Sequence, residues 1–154
     1  MYVLLKALRI LKSKAIFFSC NFAGGIGDIT EEAFNNKVSS LQLQDCVQYL
    51  GKKYDQEKIA IFRDTDIFIL PTFYHNECFP LVLLEASQFA LPMVSTFEGA
   101  IPEIINDGIN GFLVEKNDIT ALADKLELLA KDETLRTKLG NAAFKKFKKE
   151  YTFT

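Results

Sequence analysis

Seven residues separate Glu77 from Glu85 in the segment His75-Asn76-Glu77-Cys78-Phe79-Pro80-Leu81-Val82-Leu83-Leu84-Glu85-Ala86. Glu85 lies in a run of leucines and valine that reads as a buried helix wall. An ionised carboxylate there is costly unless something hydrogen-bonds to it. Pro80 suits the first position of a helix, which puts Glu77 in the loop that opens the helix and Glu85 in its second turn. One carboxylate in a loop and another one turn into a helix suit a polyhydroxylated ligand, such as a ribose carrying a sugar. The competing reading has Glu85 paired with a buried Arg or capping a neighbouring element, and Glu77 merely solvated. Spacing alone does not choose between the two.

The elements that must position this pair alternate regularly. A helix is predicted near 2–13, with Leu4, Leu5, Leu8 and Leu11 on one face and Lys6, Arg9 and Lys12 interrupting at helical spacing, so an amphipathic helix packing on a sheet is preferred to a signal peptide. The apolar run Ala15–Cys20, read as a strand, and a loop with Gly24, Gly25 and Gly27 follow. Asp28 is read as the N-cap of the next helix, with Glu31 completing a capping-box pattern. A strand at 47–50, the loop Gly51-Lys52-Lys53-Tyr54 and a helix near 55–63 come next. Asp66–Leu70 is a continuous apolar strand, as expected of a parallel strand covered on both faces. The helix carrying Glu85, the strand Met93-Val94-Ser95, a short helix near 101–106, the strand Phe112-Leu113-Val114 and helices near 118–130 and 133–150 complete the series. This order predicts one doubly wound, Rossmann-like α/β domain. Ligands of such folds sit beyond the carboxyl ends of the strands, where the loops 21–27, 51–54, 75–80 and 97–102 share one rim.

Further ordered motifs flank the glutamates. Asp66-Ile67-Phe68-Ile69-Leu70-Pro71-Thr72 precedes them, and Ala90-Leu91-Pro92-Met93-Val94 follows. Then come Glu98-Gly99-Ala100-Ile101-Pro102-Glu103 and Asp107-Gly108-Ile109-Asn110-Gly111. The series closely resembles the C-terminal, nucleotide-sugar-binding half of retaining GT-B glycosyltransferases, the family 4 or group 1 class. The resemblance runs over almost the whole chain and is most specific between Asp66 and Val114. It implies that Glu85 accepts hydrogen bonds from the nucleotide ribose and that Glu77 contacts the transferred sugar near the reacting carbon. It implies a diphosphate held at the helix start near Pro80, by backbone amides of Phe79, Leu81 and Val82, because a helix N-terminus presents free N–H donors to anions. Pro80 itself has no amide. Gly51, Lys52 and Tyr54 correspond to the loop beside the base, where Lys52 and Lys53 either assist the phosphates or are simply solvated.

Asp64-Thr65-Asp66 imitates the metal motif of the other large glycosyltransferase fold, but it precedes a strand, at the edge opposite the site. No metal and no other cofactor is expected. The glycine spacing at 24–27 does not fit a dinucleotide fingerprint. His75, the single histidine, has no partner for a metal site or a triad. Cys20, Cys46 and Cys78 lack ligand-like spacing and read as free cytosolic thiols.

The family's basic clamp on the diphosphate has no counterpart here, and the resemblance begins after the first strand of the domain. The expectation is therefore a donor-binding domain over residues 1–154, part of a two-domain enzyme whose N-terminal acceptor domain lies elsewhere. Alone it would be inactive, and the incomplete sheet would favour self-association. The implied activity is retaining transfer of a hexosyl group from a UDP-, GDP- or other nucleotide-diphosphate sugar to a glycan or lipid-linked acceptor. A non-catalytic nucleotide-sugar-binding module and a nucleotide-sugar epimerase of the same fold are the other readings. A net charge of −2 gives no pull toward nucleic acid. No run approaches the length of a membrane span. Lys145, Lys146, Lys148 and Lys149, opposite Phe144, Phe147 and Tyr151, read first as a solvated face over core packing. Peripheral contact with the inner face of the membrane is the second reading, so the expected location is cytoplasmic.

Overall fold

The computed structural model describes residues 1–24, 29–72 and 80–152. In chain order these form α1 (Tyr2–Ser13), β1 (Cys20–Ala23), α2 (Glu31–Ser40), β2 (Val47–Gly51), α3 (Asp55–Arg63) and β3 (Phe68–Leu70). Then follow α4 (Leu81–Gln88), β4 (Met93–Thr96), α5 (Ile101–Ile104), β5 (Gly111–Val114), α6 (Ile119–Lys131) and α7 (Glu133–Glu150). All the strand pairings are parallel. β1 pairs with β2, Cys20 opposite Val47, and β3-β4-β5 form a second sheet with Ile69 opposite Val94 and Val94 opposite Phe112.

Period-2 alternation along β4 and β5 feeds two apolar layers. Val94, Phe112 and Val114 meet Leu4, Leu5, Leu8 and Leu11 of α1, Phe34 and Val38 of α2, and Leu122, Leu126 and Leu129 of α6. Met93 and Leu113, on the opposite face, meet Phe62 of α3, Leu83 and Ala86 of α4, Ile101 and Ile104 of α5, and Ala143 of α7. Strands buried on both faces carry near-continuous apolar sequence for this reason. The first layer also takes in Cys20, Phe22, Val47 and Tyr49, so a common core joins the two sheets. On the second face α7 lies against the turn after α4. A Cβ on Gly140 would stand 2.0 Å from the Ala90 carbonyl oxygen. Only glycine allows that approach.

Three local expectations are corrected. The run Ala15–Cys20 is not a strand: Ala15 takes a left-handed φ of 59°, Phe17 is 98% exposed, and the strand starts at Cys20. A parallel strand forms only where a partner runs alongside, and the ladder opens with the Cys20 amide donating to the Cys46 carbonyl. The third strand likewise begins at Phe68 rather than Asp66, where its amide reaches the Pro92 carbonyl at 3.0 Å. The N-cap of α2 is Thr30, whose Oγ1 accepts from the Ala33 amide at 3.0 Å. Glu31 is a first-turn acid facing the helix dipole rather than a capping-box partner. Asp28, Gly25 and Gly27 lie outside the described residues.

Candidate functional site

The carboxyl ends of the strands deliver Gly24, Gly51–Tyr54, Pro71–Thr72, Phe97–Ala100 and Glu115–Asp118. Side chains stitch these ends together. Ser95 Oγ donates to the Leu70 carbonyl at 2.6 Å, and Thr96 Oγ1 donates to the Thr72 carbonyl at 2.8 Å. The Gly24 amide donates to the Gly51 carbonyl at 2.8 Å, and Tyr49 Oη donates to the Gly24 carbonyl at 2.7 Å. Gly51 turns the chain out of β2 with φ +75°, a conformation that side chains rarely adopt. This turn presents Lys52 and the ring of Tyr54 to solvent, with Tyr54 67% exposed. Lys53, in the loop before α3, lies 4.0 Å from Glu57 in the first turn of that helix. After β4, Glu98 is mostly covered and lies 4.0 Å from Lys116.

Helix α4 opens onto this rim. Pro80 is its N-cap, one position before the helix proper, with φ −77°. Pro80 brings no capping side chain, and the first turn of the helix holds no acid. The opening amides, from Leu81 and Val82, therefore carry the positive end of the helix dipole with no acid in their own turn. Glu85 lies one turn further in.

Glu85 is less buried than its apolar neighbours imply: its side chain is 34% exposed, and its Oε2 accepts from Lys58 Nζ at 2.6 Å. The leucine-rich run misleads because Leu83 and Ala86 face the core, whereas Glu85 faces α3 at the boundary of the packed layer. Neither of the readings offered for Glu85 foresaw an ion pair with a lysine of α3. Lys58 was missed as a residue of interest. Its signal is the matched spacing of Lys58 with Phe62 in α3 and of Glu85 with Phe89, the C-cap of α4, four residues in each case, with the two rings stacked at 5.2 Å.

Asp64 and Asp66 stand at the amino end of β3, remote in the fold's topology from the carboxyl-end rim. Among the described residues no group of three His, Cys, Asp or Glu side chains could hold a metal ion. No helix of the described residues is long and apolar enough to cross a membrane. At the end of α7, Lys146 Nζ donates to the Glu103 carbonyl and to Asn106 Oδ1, both at 2.6 Å, so this lysine fastens α5 rather than joining a purely solvated face. Burial pushes the Cys20 thiol up to about 12, and the neighbouring Cys46 adds to this. His75, Glu77, Cys78 and Phe79 lie outside the described residues, so the loop partner of Glu85 is not placed.

Parallel strands alternating with helices, with the start of α4 and Glu85 one turn behind it at the carboxyl-end rim, define a Rossmann-like domain. The comparisons give the family. The model of the glycosyl transferases group 1 family matches residues 2–146, and the chain belongs to that family. It is 34% identical over 130 residues to the putative colanic acid biosynthesis glycosyltransferase WcaL of Salmonella typhimurium, which covers 82% of this chain and 32% of that protein. The chain thus spans about a third of the length of the curated relatives it matches. Among solved structures, the C-terminal domain of the glycosyl transferase group 1 protein LpcC from Francisella tularensis aligns with TM-score 0.83 and 28% identity. That alignment covers 99% of this chain and 79% of that one. Anabaena Alr3699/HepE, solved in complex with UDP, shares the fold with TM-score 0.85 and 21% identity, over 98% of this chain and 41% of that one. The fold is that of a GT-B glycosyltransferase C-terminal domain.

Proposed function

We propose that residues 1–154 are the donor-binding half of a retaining glycosyltransferase that transfers a hexosyl group from a nucleotide-diphosphate sugar to a glycan or lipid-linked acceptor. The observation that carries this reading is the placement of Glu85 one turn inside α4, behind a helix start whose N-cap is proline and whose first turn holds no acid. A nucleotide diphosphate offers what such a site lacks: phosphate charge for the opening amides and ribose hydroxyls for the carboxylate. The occurrence of UDP in the HepE structure is in keeping with it.

In this reading Glu85 accepts from the ribose hydroxyls, and the base lies beside Gly51–Tyr54 with the Tyr54 ring as its platform. Amides of Phe79, Leu81 and Val82, with Lys52, take the diphosphate, and Glu77 contacts the sugar. The bond between the anomeric carbon and the diphosphate oxygen breaks as the acceptor's hydroxyl oxygen bonds to that carbon, with net retention, and the hydroxyl proton passes to the departing diphosphate. Amides and lysine stabilise the negative charge gathering on the departing diphosphate, in place of a metal ion. The acceptor binds to a second domain outside these residues, so the 154-residue chain binds the donor but does not turn it over. Titration calorimetry with UDP, GDP and ADP, with and without a chelator, tests this. One of the three should bind, and its affinity should be unaffected by the chelator. If none binds the reading fails, and if binding requires Mn²⁺ or Mg²⁺ the metal-free assignment fails.

A further inference from the structure

We infer that Lys58 is the positioning residue for ribose recognition, holding the Glu85 carboxylate ready from the neighbouring helix; this rests on the donor-site reading given above. Its Nζ donates to Glu85 Oε2 at 2.6 Å. The packing beneath the pair sets this geometry. Lys58 and Phe62 are one turn apart on α3, and Glu85 is four residues before Phe89, the C-cap of α4. The rings of Phe62 and Phe89 stack at 5.2 Å with planes 8° apart, and Phe62 also meets Phe68 of β3 at 5.9 Å. The aromatic stack pins the two helices at their inner turns, so their outer turns hold the ammonium opposite the carboxylate, on the side of the rim.

A lysine and glutamate this exposed, 40% and 34%, contribute little to stability. Their ligand chemistry is the larger consequence. A carboxylate has two oxygens with about four acceptor positions. Lys58 occupies one of these on Oε2, leaving Oε1 and the rest of Oε2 for the paired hydroxyls of a ribose. An unheld glutamate side chain would have to be immobilised at the moment of binding, at a cost in affinity. Holding it beforehand converts that cost into preorganisation.

The test uses the 154-residue chain and titration calorimetry with UDP, GDP and ADP, comparing the one that binds with its 2′,3′-dideoxy form. Native chain should prefer the ribose form. Lys58→Met should weaken ribonucleoside diphosphate binding about three- to tenfold, with little effect on the dideoxy form, and should leave Tm within about 2 °C of native. Lys58→Arg should restore most of the preference. Lys58→Met combined with Glu85→Gln should bind no more weakly than Glu85→Gln alone, because Lys58 acts through Glu85. If Glu85→Gln loses the ribose preference and Lys58→Met keeps it in full, Lys58 has no positioning role, although the donor-site reading stands. If Lys58→Met weakens both forms equally, it acts on the phosphates or the fold, and the inference is overturned. If Glu85→Gln keeps the full preference, the donor-site reading fails and this inference fails with it.

Discussion

Replacing Gly140 with alanine should destabilise the protein, although alanine is the better helix former. Gly140 lies within α7, where alanine ordinarily gains about 1 kcal/mol over glycine. Here the new Cβ would stand 2.0 Å from the Ala90 carbonyl oxygen and 2.9 Å from its carbon. Ordinary contact begins near 3.4 Å, so helix and turn must part by more than about an ångström at this point. Neither side can rotate out of the way, since the obstacle is backbone. The turn is already constrained by Ala90 in the left-handed region at φ 54°. Overpacking costs about 1–3 kcal/mol, and a rigid obstacle places this case at the upper end. After the propensity gain, a net loss of about 2 kcal/mol remains, which for a chain of this size lowers Tm by about 4–8 °C. Thermal unfolding of Gly140→Ala beside Asn141→Ala separates the effects. Asn141, the exposed next residue of the same helix, should show a small gain or no change. A Gly140→Ala protein as stable as the native one, or more so, would refute the close approach and with it the docking of α7 on the turn after α4.

Other outcomes follow from particular groups. Hydrogen bonds from Lys131 and then Lys14 hold the Glu127 carboxyl at about 2, down from an ordinary 4.5. The folded value is the lower one, so the stabilisation is present above about pH 4.5 and lost as pH falls toward 2. The urea midpoint of Glu127→Gln should decline less steeply over that window than the native midpoint; equal slopes would rule out the tie from α6 to the end of α1. With its thiol raised to about 12, Cys20 should react with iodoacetamide at pH 8 at least about tenfold more slowly in native protein than in urea, as read by peptide mass spectrometry. Equal rates would contradict the burial that raises it. In an enzyme carrying both domains, Glu85→Ala should weaken nucleotide diphosphate binding about ten- to a hundredfold. Glu77→Ala should leave that affinity nearly unchanged and cut transfer sharply. The opposite pattern, read by calorimetry and by product formation, reverses the two roles.

Sequence pattern located the helices over 2–13, 55–63, 118–130 and 133–150; the apolar stripe is plain in α1 and α6, whereas α3 buries only Phe62. The pattern also located the strands at 47–50, 93–95 and 112–114, and from their alternation with helices the parallel α/β class. The ordered motifs between Asp66 and Val114 disclosed the family, since their chemistry is tied to loops at fixed places in that alternation. What sequence could not decide depends on partners distant along the chain. Ala15–Cys20 has strand-like composition, but only Cys20 has β2 beside it, so the strand begins there. Glu85 sits among leucines, yet its helix turns it to the edge of the core, where Lys58 from another helix meets it. Gly140 looks like a weak point in a long helix, and its need arises from a backbone carbonyl fifty residues earlier. Local propensity and periodicity are written in neighbouring residues. Pairing, burial and close approach are fixed only when the sheets and helices pack.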